Sequence, residues 1–150
     1  MTTVTTSRVP EHYRYSAVPH LMIEGAAEAI AFYERAFGAE EVFRLPGPDG
    51  TIMHAEISIE GSVLMLGDAG DVFAAPSRTG STTVALHVYI ADVDALHERA
   101  LKEGATSLMA PADMPYGARQ IMLRDPFGHV WVFLTHLRDV APEEIVRAMG

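Results

Sequence analysis

An internal repeat is the feature of this sequence that most constrains its fold. A shift of 67 residues places His20 on His87, Ile23 on Ile90 and Gly61 on Gly128. A repeat of this length predicts two copies of one supersecondary unit, and a unit of this size is too small to bury its own sheet face. The two copies must therefore pack together, either within one chain or between two chains.

Each copy has the order strand, helix and then three strands. In the first copy the strand-like runs are 18–23, 41–45, 51–59 and 62–66, and the alanine-rich helical stretch is 26–38. In the second copy the strands are 83–90, 106–109, 120–124 and 129–135, and the helix is 93–102. Long loops are predicted at 67–82 and 109–118, and a short helix at 142–149 begins with Pro142. The sequence thus predicts a βαβββ module that occurs twice.

Composition excludes several classes of function. The 150 residues include no cysteine and carry a formal charge of −9, with no cluster of lysines or arginines to attract phosphate groups. No apolar run is long enough to cross a bilayer, and the first residues lack the pattern of a secretory signal. We therefore expect a soluble cytoplasmic protein that binds neither nucleic acid nor membranes and has no thiol chemistry.

Five segments carry a resemblance to a known family. They are AFYERAFGA at 31–39, DGTIMHAE at 49–56, LMLGD at 64–68, IADVDAL at 90–96 and DPFGHVW at 125–131. Together with the doubled βαβββ order, these segments resemble the vicinal oxygen chelate superfamily, which includes glyoxalase I, bleomycin-resistance proteins and extradiol dioxygenases. The second, third and fifth segments are similar to its PhnB-like branch.

This resemblance implies an α+β fold in which eight strands form a curled mixed sheet around a cavity, with helices outside, and often a homodimer. The expected division is an N-terminal extension at 1–16, one domain over 17–146 with modules at about 17–68 and 83–136, and a C-terminal short helix within 137–150. Since this scaffold supports many functions, the residues of the site must decide the activity.

The positions that hold the metal in metal-dependent members carry no suitable donor here. Counting along the family motifs places those positions at Val18, Met65, Ala85 and Val132. Valine and alanine have no donor atom, and a thioether is a soft ligand unsuited to sites of oxygen and imidazole donors. We therefore expect no cofactor at the usual site.

Polar residues are predicted on the concave face instead. Side chains two apart on a strand share a face, so His20 and Met22 accompany Val18, while His87 and Tyr89 accompany Ala85. In the strand from residue 51, the apolar set Met53, Ala55, Ile57 and Ile59 is expected to face the helices, which leaves Ile52, His54, Glu56 and Ser58 on the concave side. Convergence of His20, His54, Glu56 and His87 permits three interpretations: ordinary polar residues of a binding cavity, a displaced Zn or Fe site, and metal-free acid–base catalysis by His54, Glu56 and His87.

Further residues are expected to contact a ligand without taking part in chemistry. These candidates are His20, Met22, Met65, Tyr89, Tyr116, Arg119 and Val132. Arg119 could clamp a carboxylate or phosphate, and Tyr116 lies on a predicted loop where its ring could stack on an aromatic ligand. The leading hypothesis is a protein that binds a small organic molecule, by sequestration or with a metal-independent lyase or isomerase step. The alternative is a metal-dependent lyase, isomerase or dioxygenase with ligands from His20, His54, Glu56 and His87, and the sequence leaves open whether the protein is an enzyme.

Overall fold

The first module has the predicted order of elements. The computed structural model describes residues 8–150, so the first seven residues of the expected extension lie outside the described part of the chain. The elements of this module are strand β1 (His20–Ile23), helix α1 (Ala26–Phe37) and strands β2 (Glu40–Pro46), β3 (Ile52–Ile59) and β4 (Ser62–Asp68). A 3-10 turn at Pro48–Gly50 connects β2 to β3.

The second module repeats this order after a linker that contains the short helix α2 (Pro76–Thr79). Its elements are strand β5 (Ala85–Tyr89), helix α3 (Val93–Lys102) and strands β6 (Thr106–Met114), β7 (Ala118–Arg124) and β8 (Val130–His136). Helix α4 (Pro142–Met149) follows and has no buried residue. Both modules are therefore complete βαβββ units.

The two modules also share one strand topology. The strand order is β1-β4-β3-β2 in the first sheet and β5-β8-β7-β6 in the second. In each sheet the first strand pairs in parallel with the fourth, and the other pairs are antiparallel. The chain thus forms two mixed four-stranded sheets related by the repeat, which is the α+β architecture expected from the sequence.

The apolar core crosses the boundary between the modules. Helix α1 contacts helix α3, and an aromatic cluster joins α1 to β8: Tyr33, Phe37, Trp131 and Phe133 are at most 5% exposed, and the ring centroids of Phe37 and Phe133 lie 4.8 Å apart. Burial of these large side chains stabilises the contact between the modules, because a buried aromatic side chain removes roughly 150 Å2 or more of mainly apolar surface from water. The two modules consequently pack together within one chain.

Three local predictions were wrong. Strand β6 continues to Met114, although residues 109–118 were predicted as a loop. It is an edge strand, and its pairing with β7 has register shifts between Ser107, Met109 and Ala112. An edge strand tolerates a proline, so Pro111 does not end it. Residues 76–79 of the predicted linker are helical. In β3, Ile52 is 3% exposed and Met53 is 66% exposed, the reverse of the prediction, because the pairing with β2 shifts by one residue between Leu45 and Pro46.

Within residues 8–150, each helix is too short or too polar to span a lipid bilayer.

Candidate ligand-binding site

A row of four side chains crosses the concave face of the first sheet. Strand pairing places His20 beside Met65, Met65 beside Glu56 and Glu56 beside Phe43. The two-residue turn of Glu60 and Gly61, both with positive φ, connects β3 to β4 and fixes this register. His54 shares the face because it lies two residues before Glu56 on the same strand. His20 and His54 meet across β4 with ring centroids 5.5 Å apart.

The corresponding row in the second sheet is far less polar. Pairing there places His87 beside Val132, Val132 beside Met122 and Met122 beside Met109. Met122 therefore occupies the position of Glu56, and Val132 that of Met65. The two histidines are equivalent by the repeat, but the carboxylate has no counterpart.

Glu56 is a buried carboxylate with three hydrogen-bond partners. Its side chain is 2% exposed and accepts hydrogen bonds from His54 Nε2 at 3.1 Å, His12 Nε2 at 3.0 Å and the Tyr13 hydroxyl at 2.5 Å. His54 belongs to the same strand, whereas His12 and Tyr13 come from the arm, which we define as residues 8–19. We call Glu56, His54, His12 and Tyr13 the carboxylate cluster.

These contacts shift the pKa values of the cluster in opposite directions. Burial raises the pKa of Glu56, but hydrogen bonds from Tyr13, His54 and His12 outweigh burial and bring this pKa below its ordinary value. The hydrogen bond to Glu56, with smaller contributions from burial and from the negative charge, raises the pKa of Tyr13 to about 12. At neutral pH the cluster thus consists of a charged carboxylate and a neutral phenol.

His20 lies beside the cluster and is biased toward its neutral form. Burial, and then repulsion from His54, lowers the pKa of His20 below its ordinary value. A neutral imidazole both donates and accepts a hydrogen bond, so His20 can contact either kind of ligand group.

A cavity of about 440 Å3 lies between the arm, the β3–β4 turn and β5. We call it the central cavity. Its walls come from both modules and from the arm, and they include Tyr13, Arg14, Val18, Val63, His87 and Tyr89. Tyr13 therefore lines this cavity and also donates its hydroxyl to Glu56.

A second cavity of about 530 Å3 lies under the linker between the modules. Its wall includes His20, Met22, several linker threonines and His129. His129 is 8% exposed and its Nε2 donates to the backbone oxygen of Met22 at 2.9 Å, which ties β8 to β1. We call this space the linker cavity.

Comparisons with known proteins agree with this architecture. The family model of the Glyoxalase/Bleomycin resistance protein/Dioxygenase superfamily matches residues 12–133. The chain belongs to this superfamily. The membership confirms the resemblance found in the sequence.

Individual proteins are similar to most of the length of the chain. An uncharacterized protein of Mycobacterium bovis is 43% identical over 137 residues, which cover 88% of this chain and 90% of the relative. A Mycobacterium tuberculosis protein is also 43% identical over 137 residues, which cover 88% of this chain and 81% of that protein. Among solved structures, TioX from Micromonospora sp. ML1 is 28% identical with a TM-score of 0.66, covering 85% of this chain and all of the other. A PhnB protein from Bacillus cereus is 21% identical with a TM-score of 0.62, covering 81% and 99%, and shows the fold alone.

The metal that many members of this superfamily bind does not fit the donors at the usual positions. Val132 is 2% exposed in an apolar cluster, Met65 offers only a thioether, and Val18 and Ala85 offer no donor at all. Across residues 8–150, no three or more histidine, aspartate or glutamate side chains are grouped so that they could hold a metal ion.

The structure brings together three of the four predicted convergent residues. His20, His54 and Glu56 are neighbours, whereas His87 lies with Tyr89 on the wall of the central cavity. In the described part of the chain, His87 has no hydrogen bond or ring contact with the other three. The predicted site is thus divided between a carboxylate cluster and a cavity wall, and Tyr13 lies between them.

Other predicted ligand contacts are engaged within the protein. The Arg119 guanidinium binds both carboxylate oxygens of Asp94, at 2.7 and 2.9 Å, and Asp113 at 2.9 Å. Its pKa is raised by these hydrogen bonds. Tyr116 donates its hydroxyl to Gln120 and packs on the apolar cluster of Ala118, Val132 and Leu134. These residues support the second sheet.

Sequence reasoning did not identify the arm as part of the site. His12 and Tyr13 lie 44 and 43 residues from Glu56 along the chain, outside the repeat, so no periodicity connects them. Tyr13 was a signal of packing, since aromatic residues are uncommon in unattached termini; the neighbouring Tyr15 is 72% exposed.

Proposed function

We propose that the protein binds a small, planar organic molecule in the central cavity without a metal centre. The observation that carries this proposal is the cavity itself, whose volume of about 440 Å3 lies within the range of ~300 to 1,000 Å3 usual for ligand sites. Its wall combines apolar Val18 and Val63 with the rings of Tyr89 and His87. Such a wall favours a flat ligand that stacks on aromatic rings and has few polar groups.

The test is a ligand-observed NMR screen of matched planar aromatic and saturated ring compounds, followed by assignment of the protein amides that each hit perturbs. We expect the aromatic hits to perturb residues 62–64 and 86–89, and to bind about tenfold more weakly to a Tyr89→Ala variant. Val72→Ala is the matched control, because Val72 is 84% exposed on the linker and lines neither cavity. Hits that leave residues 86–89 unperturbed would count against the central cavity.

Proton transfer is a second candidate function, and the pair Glu56 and His54 favours it. A carboxylate 3.1 Å from an imidazole can orient that imidazole for proton transfer. Any carbonyl ligand found in the screen can be incubated in heavy water and examined for deuterium uptake at the adjacent carbon. Uptake that is lost in Glu56→Gln and retained in Glu103→Gln, a surface variant, would establish the activity, and equal rates in all variants would exclude it.

A further inference from the structure

The hydrogen bonds of Glu56 come mainly from a part of the chain that could be replaced. Within its own sheet Glu56 has one partner, His54, while the arm supplies His12 and Tyr13. An ionised carboxylate only accepts hydrogen bonds, and a buried one is costly unless donors surround it. The face of the first sheet therefore presents an acceptor that requires donor groups from outside the sheet.

Two neighbouring side chains of the arm bind Glu56 in the sheet. His12 is 45% exposed and Tyr13 is half-buried, with their rings 3.9 Å apart. The Tyr13 backbone N–H bonds Pro10, within the arm itself. Among the described residues, the side-chain hydrogen bonds between arm and sheet are those from His12 and Tyr13 to Glu56. The backbone adds a hydrogen bond at the end of the arm, from the Met65 N–H to the Pro19 oxygen at 2.8 Å. Displacing His12 and Tyr13 therefore breaks the hydrogen bonds that the arm makes within the carboxylate cluster.

Tyr13 contacts both the central cavity and Glu56. The side chain lines the cavity, and its hydroxyl reaches the carboxylate at 2.5 Å. Removing this side chain would leave an open space beside the Glu56 carboxylate. A ligand in that space would meet the same acceptor that Tyr13 meets now.

We propose that Tyr13 is an internal ligand, because its ring and hydroxyl occupy the position that a phenol-type ligand takes when it binds Glu56. Such a ligand binds by displacing the arm. This inference rests on the proposed small-molecule function and specifies its ligand class. A neutral phenol matches Tyr13 in shape, in charge and in its hydroxyl donor. An aromatic carboxylate would be repelled by Glu56, and an unsubstituted ring would not replace the hydroxyl donor that Tyr13 supplies to Glu56.

The experiment uses the full chain with Tyr13→Ala and three probes, which are phenol, benzene and benzoate, with binding measured by calorimetry and ligand-observed NMR. Phenol is the group that this substitution removes. We expect phenol to bind the variant at least ~10-fold more tightly than benzene, since hydrogen bonds to charged groups contribute this much or more. We also expect phenol to bind wild type at least ~10-fold more weakly than the variant, because the arm competes, and benzoate to show no binding to either protein.

Two further variants test whether the effect acts through Glu56. Tyr13→Ala combined with Glu56→Gln should bind phenol and benzene within about threefold of each other, because the charged acceptor is gone. Phe73→Ala is the control for loss of an aromatic ring; Phe73 is 61% exposed and lines neither cavity, so its phenol affinity should equal that of wild type. Far-UV circular dichroism of each variant verifies its fold.

Failure of this inference can be distinguished from failure of the proposed function. If phenol binds Tyr13→Ala no better than benzene does, the internal-ligand proposal is overturned, even when the aromatic hits of wild type persist. Equal phenol affinity in wild type and Tyr13→Ala also overturns it, because the arm then does not compete. The proposed function fails separately, through the absence of wild-type hits that depend on Tyr89.

Discussion

The hydroxyl of Tyr33 in helix α1 donates a 2.6 Å hydrogen bond to the carboxylate of Asp125, 92 residues later in the turn between β7 and β8. The same carboxylate accepts hydrogen bonds from the Trp131 indole at 2.9 Å and from the backbone N–H groups of Phe127 and His129. Asp125 is 3% exposed. One oxygen of the Asp125 carboxylate thus holds the backbone of its own turn. The other oxygen binds Trp131 and also Tyr33 of the first module.

We predict that Tyr33→Phe lowers the free energy of unfolding by about 1.5 to 3 kcal/mol, because it removes a buried hydrogen bond to a charged group. Chemical denaturation measures the change. Tyr15→Phe is the matched control, since the Tyr15 ring is 72% exposed, and should change stability by less than about 0.5 kcal/mol. Equal stability of Tyr33→Phe and wild type would show that Asp125 acts only within its turn.

A second prediction concerns the start of helix α1. Gly25 offers no side-chain cap, and Asp68 at the end of β4 supplies one by accepting from the N–H groups of Gly25 and Ala26 at 2.9 and 3.0 Å. Its other oxygen accepts from the N–H of Ile52 at 2.7 Å. Asp68→Ala should lower stability by about 2 kcal/mol, as expected for the loss of a cap and a further buried bond.

Two variants control for this effect in thermal or chemical unfolding. Asp68→Asn keeps one acceptor oxygen but turns an amide nitrogen toward a donor, so its loss should be about half that of Asp68→Ala. Asp71→Ala removes a nearby exposed carboxylate and should leave stability unchanged within about 0.5 kcal/mol. If Asp71→Ala and Asp68→Ala had equal effects, net charge and not capping would be the cause.

The elements predicted correctly are those with a periodic pattern. Alternation on β3 identified Glu56 and His54 as concave residues, and the repeat identified His20 and His87 as equivalents, because side-chain direction follows directly from strand period. The same rule assigned Ile52 and Met53 to the wrong faces, since the register shift between Leu45 and Pro46 has no sequence marker.

Long-range polar contacts could not be predicted in the same way. Asp68, Asp125 and Tyr13 each bind groups that are distant along the chain, and hydrogen-bonded side chains of this kind follow no period. The motif residues Asp68 and Asp125 were recognised as parts of a family pattern, but their partners depend on how the modules pack. The carboxylate cluster was half predicted for this reason: its strand residues were identified and its arm residues were not.

Acid should destabilise the protein through His20 before it does so through Glu56. Burial and His54 lower the pKa of His20 in the folded state from 6.5, so the unfolded chain binds this proton more strongly. Stability is complete above pH 6.5 and falls as the pH drops through the lowered value. For Glu56, whose pKa is lowered from 4.5, the loss begins only below about pH 4.5. In His20→Asn, the denaturation midpoint should fall less steeply than in wild type as the pH drops below about 6.5. An identical slope in the two proteins would contradict the assignment.

Removal of metal ions should leave the fold unchanged. A metal bound to the native state stabilises it in proportion to its affinity and concentration, so extraction of a bound metal lowers the melting temperature. Because Val18, Met65, Ala85 and Val132 offer no suitable set of donors, we expect dialysis against a chelator to shift the melting temperature by less than about 1 °C. Elemental analysis of protein purified without a polyhistidine tag provides an independent test. A stoichiometric transition metal that is lost in the double variant His54→Ala, His87→Ala would instead establish a site with displaced ligands.

The arm should be released from the sheet at high pH. The pKa of Tyr13 is raised from 10.0 to about 12 in the folded protein, so the unfolded chain loses this proton first. The stabilising contact is complete below pH 10 and is lost as the pH rises toward 12, where a phenolate would face the charged Glu56. Ultraviolet titration of phenolate absorbance in wild type minus Tyr13→Phe isolates this one group from the other tyrosines. We expect the difference curve to have its midpoint near 12 and to move toward 10 in Glu56→Gln, because the hydrogen bond to the carboxylate, which is the largest cause of the shift, and the negative charge are then absent. A midpoint near 10 in both proteins would show that Tyr13 does not bind Glu56 in solution.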